Sequence, residues 1–413
     1  MYKFSLMENG NFHEMARIQI EAYPSALSNA TAEQYAERLA ETHNRPNVNY
    51  YGAYKGDKLV GGFSIWDFEL NFRQNMIKAG GVGGIAVDLG HKKEKIAREI
   101  MRFFHNHLRK NGMNMAMLYP FDSSFYKRMG YGFGTFLHQF RLKPQDLMNG
   151  DSKAHIRRLT VDDAQILADF YNTCAKSTHG FTTKSVDDFT RNLKAPANKI
   201  FAYVDNGVRG YISFQFKKGS DNSWLVTDMF VSEMLFSSPE VFMELMAFVK
   251  SQGDQVRYVI FNTQDEGLVN TVSDPRNYSE NILFSCYQEV SKAGLGIMYR
   301  ICDIEAFFNN TGECQFGNLD LTLQVNISDS FVPDNNRSFM LQFCGGLCKV
   351  ETDVAPDVEL SIDIAEFSAL VVGSVNLKSL VKYGKARLSD DSYLEILSRN
   401  LSLDEKPICL THF

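Results

Sequence analysis

The stretch Gly81–Arg98 constrains this chain more than any other. Residues 81–89 read as a buried strand, and a helix is expected from about 92 to 110. Ile96, Ile100, Phe103, Phe104 and Leu108 keep to one face of that helix. Asn111-Gly112 supplies a left-handed C-terminal cap. The helix begins Lys92-Lys93-Glu94-Lys95-Ile96-Ala97-Arg98. Such a basic start has the wrong sign for an isolated helix, whose N-terminus already carries about half a positive charge. An anion resolves the conflict, because free backbone N–H groups and cationic side chains then share one ligand. The plainer alternative is a solvated basic turn relieved by Glu94. Gly81-Val82-Gly83-Gly84-Ile85-Ala86 also fits the loose glycine fingerprint of dinucleotide folds. That fingerprint must follow a strand and open a helix. Here it runs into a strand, so a dinucleotide fold is rejected.

The flanking sequence alternates helix and strand signals. Residues 12–23 and 30–43 read as helices. Residues 49–55 and 58–68 read as strands joined at Lys55-Gly56-Asp57. A strand over 113–119 stops at Pro120. A second unit opens near His155, with Thr160 as a helix N-cap. Its hairpin repeats the first: Tyr51-Gly52-Ala53-Tyr54 with Gly62-Phe63-Ser64 matches Phe201-Ala202-Tyr203 with Gly210-Tyr211-Ile212-Ser213. This is read as a diverged internal repeat. A third unit starts near Cys302, with strands at 319–326, 338–343 and 346–352 and helices near 363–370, 376–383 and 391–398. The expected domains are therefore 1–150, 151–301 and 302–413, in an α/β (α+β) arrangement of mixed sheets.

Length and composition bound the function. A chain of 413 residues exceeds one ordinary core. A net charge of -6 argues against general nucleic-acid binding. No run approaches the roughly 20 apolar residues of a membrane helix, and Met1-Tyr2-Lys3-Phe4-Ser5 lacks an apolar signal core. A cytoplasmic protein without membrane or nucleic-acid partners is expected. The seven cysteines are scattered, which suits a reducing compartment. Cys344 and Cys348 have no second Cys or His pair nearby, so they read as small apolar residues and no metal is expected.

A second segment joins the first: Tyr119-Pro120-Phe121-Asp122-Ser123-Ser124-Phe125-Tyr126-Lys127-Arg128-Met129-Gly130-Tyr131-Gly132-Phe133. A strand, a basic loop and helix, a strand, then F-Y-x-x-x-G-Y resembles the GNAT acetyltransferases. The longer form, Tyr119-Pro120, Phe125-Tyr126 and Met129-Gly130-Tyr131-Gly132, resembles the enhanced-intracellular-survival (Eis) family. That resemblance implies two tandem GNAT domains and a C-terminal domain like sterol carrier protein, across essentially the whole chain. It implies acetyl-CoA as co-substrate and a homo-oligomer, with a hexamer as the candidate assembly. The acceptor is a primary amine of aminoglycoside, polyamine or lysine type.

Site residues carry over by position. The resemblance places the pantetheine arm on the backbone of Ile85, Ala86 and Val87. It places the pyrophosphate on Lys92, Lys93, Glu94, Lys95, Ile96, Ala97 and Arg98, with Phe121 and Asp122 flanking the cofactor. It implies Tyr126 as general acid and the carboxylate of Phe413 as general base, with His412 a competing base. A thiol near pKa ~8.5 and a phenol near ~10 suit such a transfer. A backbone N–H in the 85–87 strand suits the oxyanion.

The family's phosphate loop reads R/Q-x-x-G-x-G/A, and here Lys95 stands where the central glycine is usual. A catalytically weak or inactive protein that binds acyl-CoA or an apolar ligand is the alternative function. In the second unit Asp228-Met229-Phe230-Val231-Ser232 leads to Phe236-Ser237-Ser238-Pro239 without a basic glycine loop. That unit is expected to bind no acetyl-CoA and to shape the acceptor pocket.

Overall fold

The structure is a computed structural model that describes residues 2–7, 12–403 and 405–413. The chain forms two compact units. One gathers the described residues of 1–134, 297–407 and 411–413, and the other holds 135–296 and 408–410.

The first unit contains a seven-stranded sheet. Its order is Lys3–Leu6, Val48–Lys55, Lys58–Phe72, Asn75–Val87, Met115–Leu118, Met298–Ile301 and Gly132–Phe133. The two long strands are joined by Arg73 and Gln74, both left-handed at φ 51 and 65. A two-residue hairpin normally recruits Asn or Gly for that geometry. Here tertiary contacts hold it. The buried Arg73 guanidinium donates to the carbonyls of Gln315 and Leu401 and lies 4.2 Å from the Phe316 ring centroid. The strand expected at 81–89 accordingly starts at Asn75.

The pairing of this sheet creates an opening. Strand Asn75–Val87 pairs in parallel with Met115–Leu118 only through Gly81↔Met117. On its other side it stays paired with Lys58–Phe72 up to Gly61↔Val87. From Val82 onward one edge of the strand therefore faces a split. Helix Ile96–Lys110 closes one face of the sheet through Ile96, Ile100, Phe104 and Leu108, which share a buried cluster with Val60, Phe63 and Val87. The helix starts at Ile96 rather than 92. A 3-10 turn, Leu89–His91, comes first, and Lys93 and Lys95 take φ 67 and 64, which a helix does not accommodate.

The same unit carries a five-stranded sheet in the order Leu347–Glu351, Ser338–Cys344, Leu321–Ser328, Val358–Asp363 and Ala386–Leu388. Helices Ile364–Val371, Leu377–Lys382 and Leu394–Leu401 match the expected helical segments. Helix Ile304–Asn310 and the strands at 358–363 and 386–388 are additional. Arg300 and Asp329 form a fully buried ion pair, and Arg300 also donates to the Met129 carbonyl.

The second unit has a seven-stranded sheet in the order Ser291–Gly294, Leu137–Leu142, Val256–Thr263, Thr227–Phe236, Val208–Lys218, Lys199–Val204 and Ile156–Arg158. The hairpin at 199–218 has the antiparallel neighbours that the hairpin at 48–72 has in the first sheet. Thr160 forms a capping box with Asp163, followed by helix Ala164–Ser177. Strand Leu137–Leu142 belongs to this sheet although it precedes residue 150. Strand Met298–Ile301 belongs to the first although it precedes 302. Both unit memberships follow from strand edges that local periodicity does not reveal. Among the described residues no helix is long and apolar enough to cross a membrane.

Candidate active site

The split strand supplies the site's backbone. Asp88 N–H donates to the Val60 carbonyl at 3.0 Å, and Gly61↔Val87 and Gly62↔Ala86 are opposed. Alternate residues of an antiparallel strand face the same partner. The backbone groups of Ala86 are thus used inside the sheet, while the Ile85 N–H and the backbone groups of Val87 turn toward the split; the Ile85 carbonyl is taken by Tyr23 Oη. Of the three residues expected to hold an extended ligand arm, two have backbone to offer and Ala86 does not. The register shifts between Gly62 and Ser64, opposite Gly84, whose φ is +57.

The split leads to the basic loop. Lys95 is the N-cap of helix Ile96–Lys110, at φ 64 and ψ 15 with no side-chain cap. The first intrahelical bonds run from Arg98 and Glu99 N–H to the Lys95 carbonyl at 3.0 and 3.2 Å. The N–H groups of Lys95, Ile96 and Ala97 precede these bonds and are the natural anion donors. Lys92, Lys93 and Lys95 are exposed around them. Lys95 therefore adopts the left-handed conformation for which glycine is usual, at a strain of roughly 1–2 kcal/mol. Arg98 lies on the helix with its guanidinium 5.8 Å from the Phe331 ring centroid. The Ile96 side chain is core, so only its N–H can contribute.

Glu94 plays a different part from the one expected. Its carboxylate accepts from Tyr2 Oη and Lys55 Nζ, both at 2.9 Å, and lies 3.1 Å from His91 Nδ1. Lys55 and Tyr2 push its pKa down to about 2. The side chain fastens the loop to the first two strands and is not available to an anion. Asp122 likewise caps helix Ser123–Lys127, accepting from Ser124 N–H at 3.0 Å and Phe125 N–H at 3.2 Å. The adjacent Phe121 is 72% exposed, an apolar side chain left at the surface.

Tyr126 sits on that short helix at 3% exposure, in the cluster that contains Ile85 and Val87. Burial pushes its phenol well above the usual range. The glycines after it permit close packing: a Cβ on Gly132 would meet the Ala365 carbonyl at 2.2 Å.

Phe413 reaches the same strand from its other side. A Cβ on Gly81 would lie 2.6 Å from the Phe413 ring, and one on Gly83 would lie 3.1 Å from both the Phe413 carboxyl carbon and Ser64 Oγ. The ring packs on Phe68 and Tyr119 at centroid distances of 5.1 and 5.4 Å and approaches Trp66 at 6.4 Å. Tyr119 Oη donates to the Thr411 carbonyl at 2.9 Å, and its ring lies 5.7 Å from His412. The glycines that imitate a dinucleotide fingerprint thus make room for the last residue of this chain. The carboxyl of Phe413 lies against Gly83, and Tyr126 belongs to the buried cluster that also holds Val82, Ile85 and Val87 of the same strand.

Sequence reasoning missed several residues here. Gln19 and Tyr23 bind the carbonyls of Gly84 and Ile85. Ser64 takes the Trp66 indole N–H at 2.9 Å, and Trp66, Phe68 and Tyr119 wall the Phe413 side. The glycine run was the one available signal, since four glycines in Gly80–Gly84 are rare in a strand unless something approaches closely.

Comparisons with known proteins agree with this geometry. Residues 3–134 match a family described as acetyltransferase (GNAT) domain, residues 180–301 match a second acetyltransferase (GNAT) domain family, and residues 304–410 match a sterol carrier protein domain. That order is the one implied by the Eis-like resemblance. A GCN5-related N-acetyltransferase from Anabaena variabilis superposes with a TM-score of 0.82 at 14% identity over 100% of both chains. One from Kribbella flavida gives 0.79 at 18% identity over 100% of this chain and 98% of that one. Eis1 from Mycobacterium abscessus gives 0.78 at 17% identity over 100% of both. At these identities the superpositions establish the fold. No curated protein sequence matches the chain.

Proposed function

We propose how this chain, a tandem-GNAT N-acetyltransferase ending in a sterol carrier protein domain, moves its acyl group: from acetyl-CoA to a cationic primary amine, at the split of strand Asn75–Val87. GNAT acetyltransferases use acetyl-CoA. The observation that carries the reading is that the Phe413 carboxyl lies against Gly83 while Tyr126 shares a buried cluster with Ile85 and Val87 of the same strand. The pantetheine arm lies along the Ile85 N–H and the backbone of Val87, which face the split. The pyrophosphate takes the N–H groups of Lys95, Ile96 and Ala97, with Lys92, Lys93 and Arg98 supplying charge. Phe121 lies beside the cofactor.

The Phe413 carboxylate attracts the ammonium and takes its proton, directly or through water. The amine nitrogen then attacks the thioester carbon. A backbone N–H of the strand stabilises the oxyanion. The C–S bond breaks, Tyr126 donates a proton to the departing thiolate, and the second proton of the attacking nitrogen passes to the tyrosinate as the amide forms. Burial raises the phenol, and the same water-poor surroundings raise the thiol, so the transfer stays near balance. The aromatic wall of Trp66, Phe68 and Tyr119 suits a cationic acceptor. Aminoglycosides, polyamines and lysine side chains share that chemistry. The binding-protein alternative rested on Lys95, and Lys95 holds the backbone conformation that a glycine would hold.

Release of coenzyme A thiol from acetyl-CoA, with each amine class supplied in turn, tests the proposal. Turnover with at least one class is expected. Absence of turnover, together with absence of acetyl-CoA binding by calorimetry at millimolar cofactor, overturns it.

A further inference from the structure

Helix Phe12–Ala22 and the residue after it grip the split strand at three points. Gln19 Nε2 donates to the Gly84 carbonyl at 2.7 Å. One turn later Tyr23 Oη donates to the Ile85 carbonyl at 2.5 Å. Arg17 holds the Asp88 carboxylate at 2.6 Å. Successive carbonyls of a regular strand point opposite ways. One helix reaches both 84 and 85 here because Gly84 is left-handed and the register shifts opposite it. A Cβ at 84 would lie 2.7 Å from the Gln19 amide nitrogen. Glycine is therefore needed for the backbone and for the approach together.

We infer that Gln19 and Tyr23 are positioning residues for acetyl transfer: they hold the Gly84–Ile85 peptide so that the Ile85 N–H points into the split as the donor to the thioester oxygen. The inference rests on the acetyl-CoA site proposed above. The Gly84 carbonyl and the Ile85 N–H belong to one planar trans unit and point opposite ways, so fixing the first aims the second. A hydrogen bond accepted by the carbonyl also polarises the N–H and strengthens it as a donor. Tyr23 anchors the next carbonyl, which keeps the N–H from swinging with the strand end.

Gln19 is an unlikely choice for packing alone. It is 1% exposed, and its Oε1 has no hydrogen-bond partner among the described residues. A half-satisfied buried amide destabilises a fold relative to an apolar side chain of similar size. The amide is explained by what its N–H group does to the strand. Burial first, and the Tyr23 phenol after it, raise the Tyr126 phenol.

The test uses the full chain with acetyl-CoA labelled at the carbonyl carbon. Difference infrared spectroscopy reads the bound carbonyl stretch, alongside steady-state kinetics and thermal melting. The wild type is expected to shift the stretch to lower frequency. Gln19→Leu is expected to lose most of that shift and to lower kcat by roughly 10–100-fold, the usual effect of removing a group that orients a reacting one. Its KM for acetyl-CoA stays within about 3-fold, and its melting temperature does not fall. Tyr23→Phe loses less, about 3–10-fold in kcat. Should the leucine variant fail to fold, Gln19→Met keeps the length and removes the donor.

A carbonyl shift that persists in the Gln19 variants overturns the positioning role and leaves the cofactor site standing. A fall in kcat that tracks lost thermal stability, with the shift unmoved, overturns it equally. A wild type that binds no acetyl-CoA overturns the cofactor site and this inference together.

Discussion

Both acetyltransferase-type sheets stop their central parallel pairing early. In the first, pairing ends at Gly81↔Met117 while the strand continues to Val87. In the second, it ends at Val231↔Phe261 while the strand continues to Phe236. They part at the helix that follows. In the first, residues 88–95 separate strand from helix, with two left-handed lysines and a free N-terminal turn. In the second, only Ser237 and Ser238 intervene before helix Pro239–Lys250. Pro239 has no N–H to offer, and Glu240 already supplies the negative charge that a helix N-terminus favours. A split sheet is a consequence of strand pairing. An anion site needs donors and unbalanced positive charge as well, and only the first sheet has both. We propose on this ground that acetyl-CoA binds the first domain and not the second.

Four variants, two of them paired with a control in the second domain, break or sharpen that contrast. Tyr126→Phe is expected to lower kcat by about 10²–10⁴-fold, the usual range for a lost general acid, whereas Ser238→Ala at the second helix start leaves kcat unchanged. The raised phenol also keeps Tyr126 protonated throughout the usual working range. Its deprotonation therefore produces no fall in kcat between pH 7 and its ordinary value near ~10. An alkaline limb below that point which disappears in Tyr126→Phe would show instead that the buried phenol titrates no higher than a free one.

Deleting Phe413 is expected to reduce kcat by roughly 10²-fold, with acetyl-CoA affinity little altered. Equal losses for peptide-like and small amines would point to the base, and a loss confined to one class to the aromatic wall. Replacing Lys92, Lys93 and Arg98 together by Ala is expected to weaken acetyl-CoA binding about 10–100-fold by calorimetry, at ~0.5–1 kcal/mol per exposed charge–phosphate contact. Glu240→Gln in the second domain leaves that affinity where it was. Lys95→Gly should have the smallest effect. Relief of the left-handed strain, about 1–2 kcal/mol, is partly offset by the entropy of a glycine, about 0.5–1 kcal/mol. A net gain under about 1 kcal/mol in denaturant unfolding is expected. A loss of stability would show that the lysine side chain itself holds the loop.

Much of the first domain was legible locally. Apolar spacing located helix Ile96–Lys110 to within its first turn, and the basic run at 92–98 marked the loop that leads from the split into that helix. The Phe125-Tyr126 to Gly132 motif located the buried phenol. The two hairpins that suggested a repeat occupy matching places in their sheets. The carboxylates of Glu94 and Asp122 are spent on partners set by the fold: Lys55 and Tyr2 for one, the following helix turn for the other.

The sequence by itself determined which segments become helix or strand and where positive charge gathers, because periodicity and charge act over a few residues. Tertiary structure decided the rest. It paired Met298–Ile301 with Met115–Leu118, bent the chain at Arg73-Gln74 without a turn-forming residue, and brought Phe413 against Gly81 and Gly83. It also set Gln19 and Tyr23 on the carbonyls of 84 and 85. Each of these joins residues far apart in the chain through close packing or a single hydrogen bond, and neither leaves a periodic trace in the sequence.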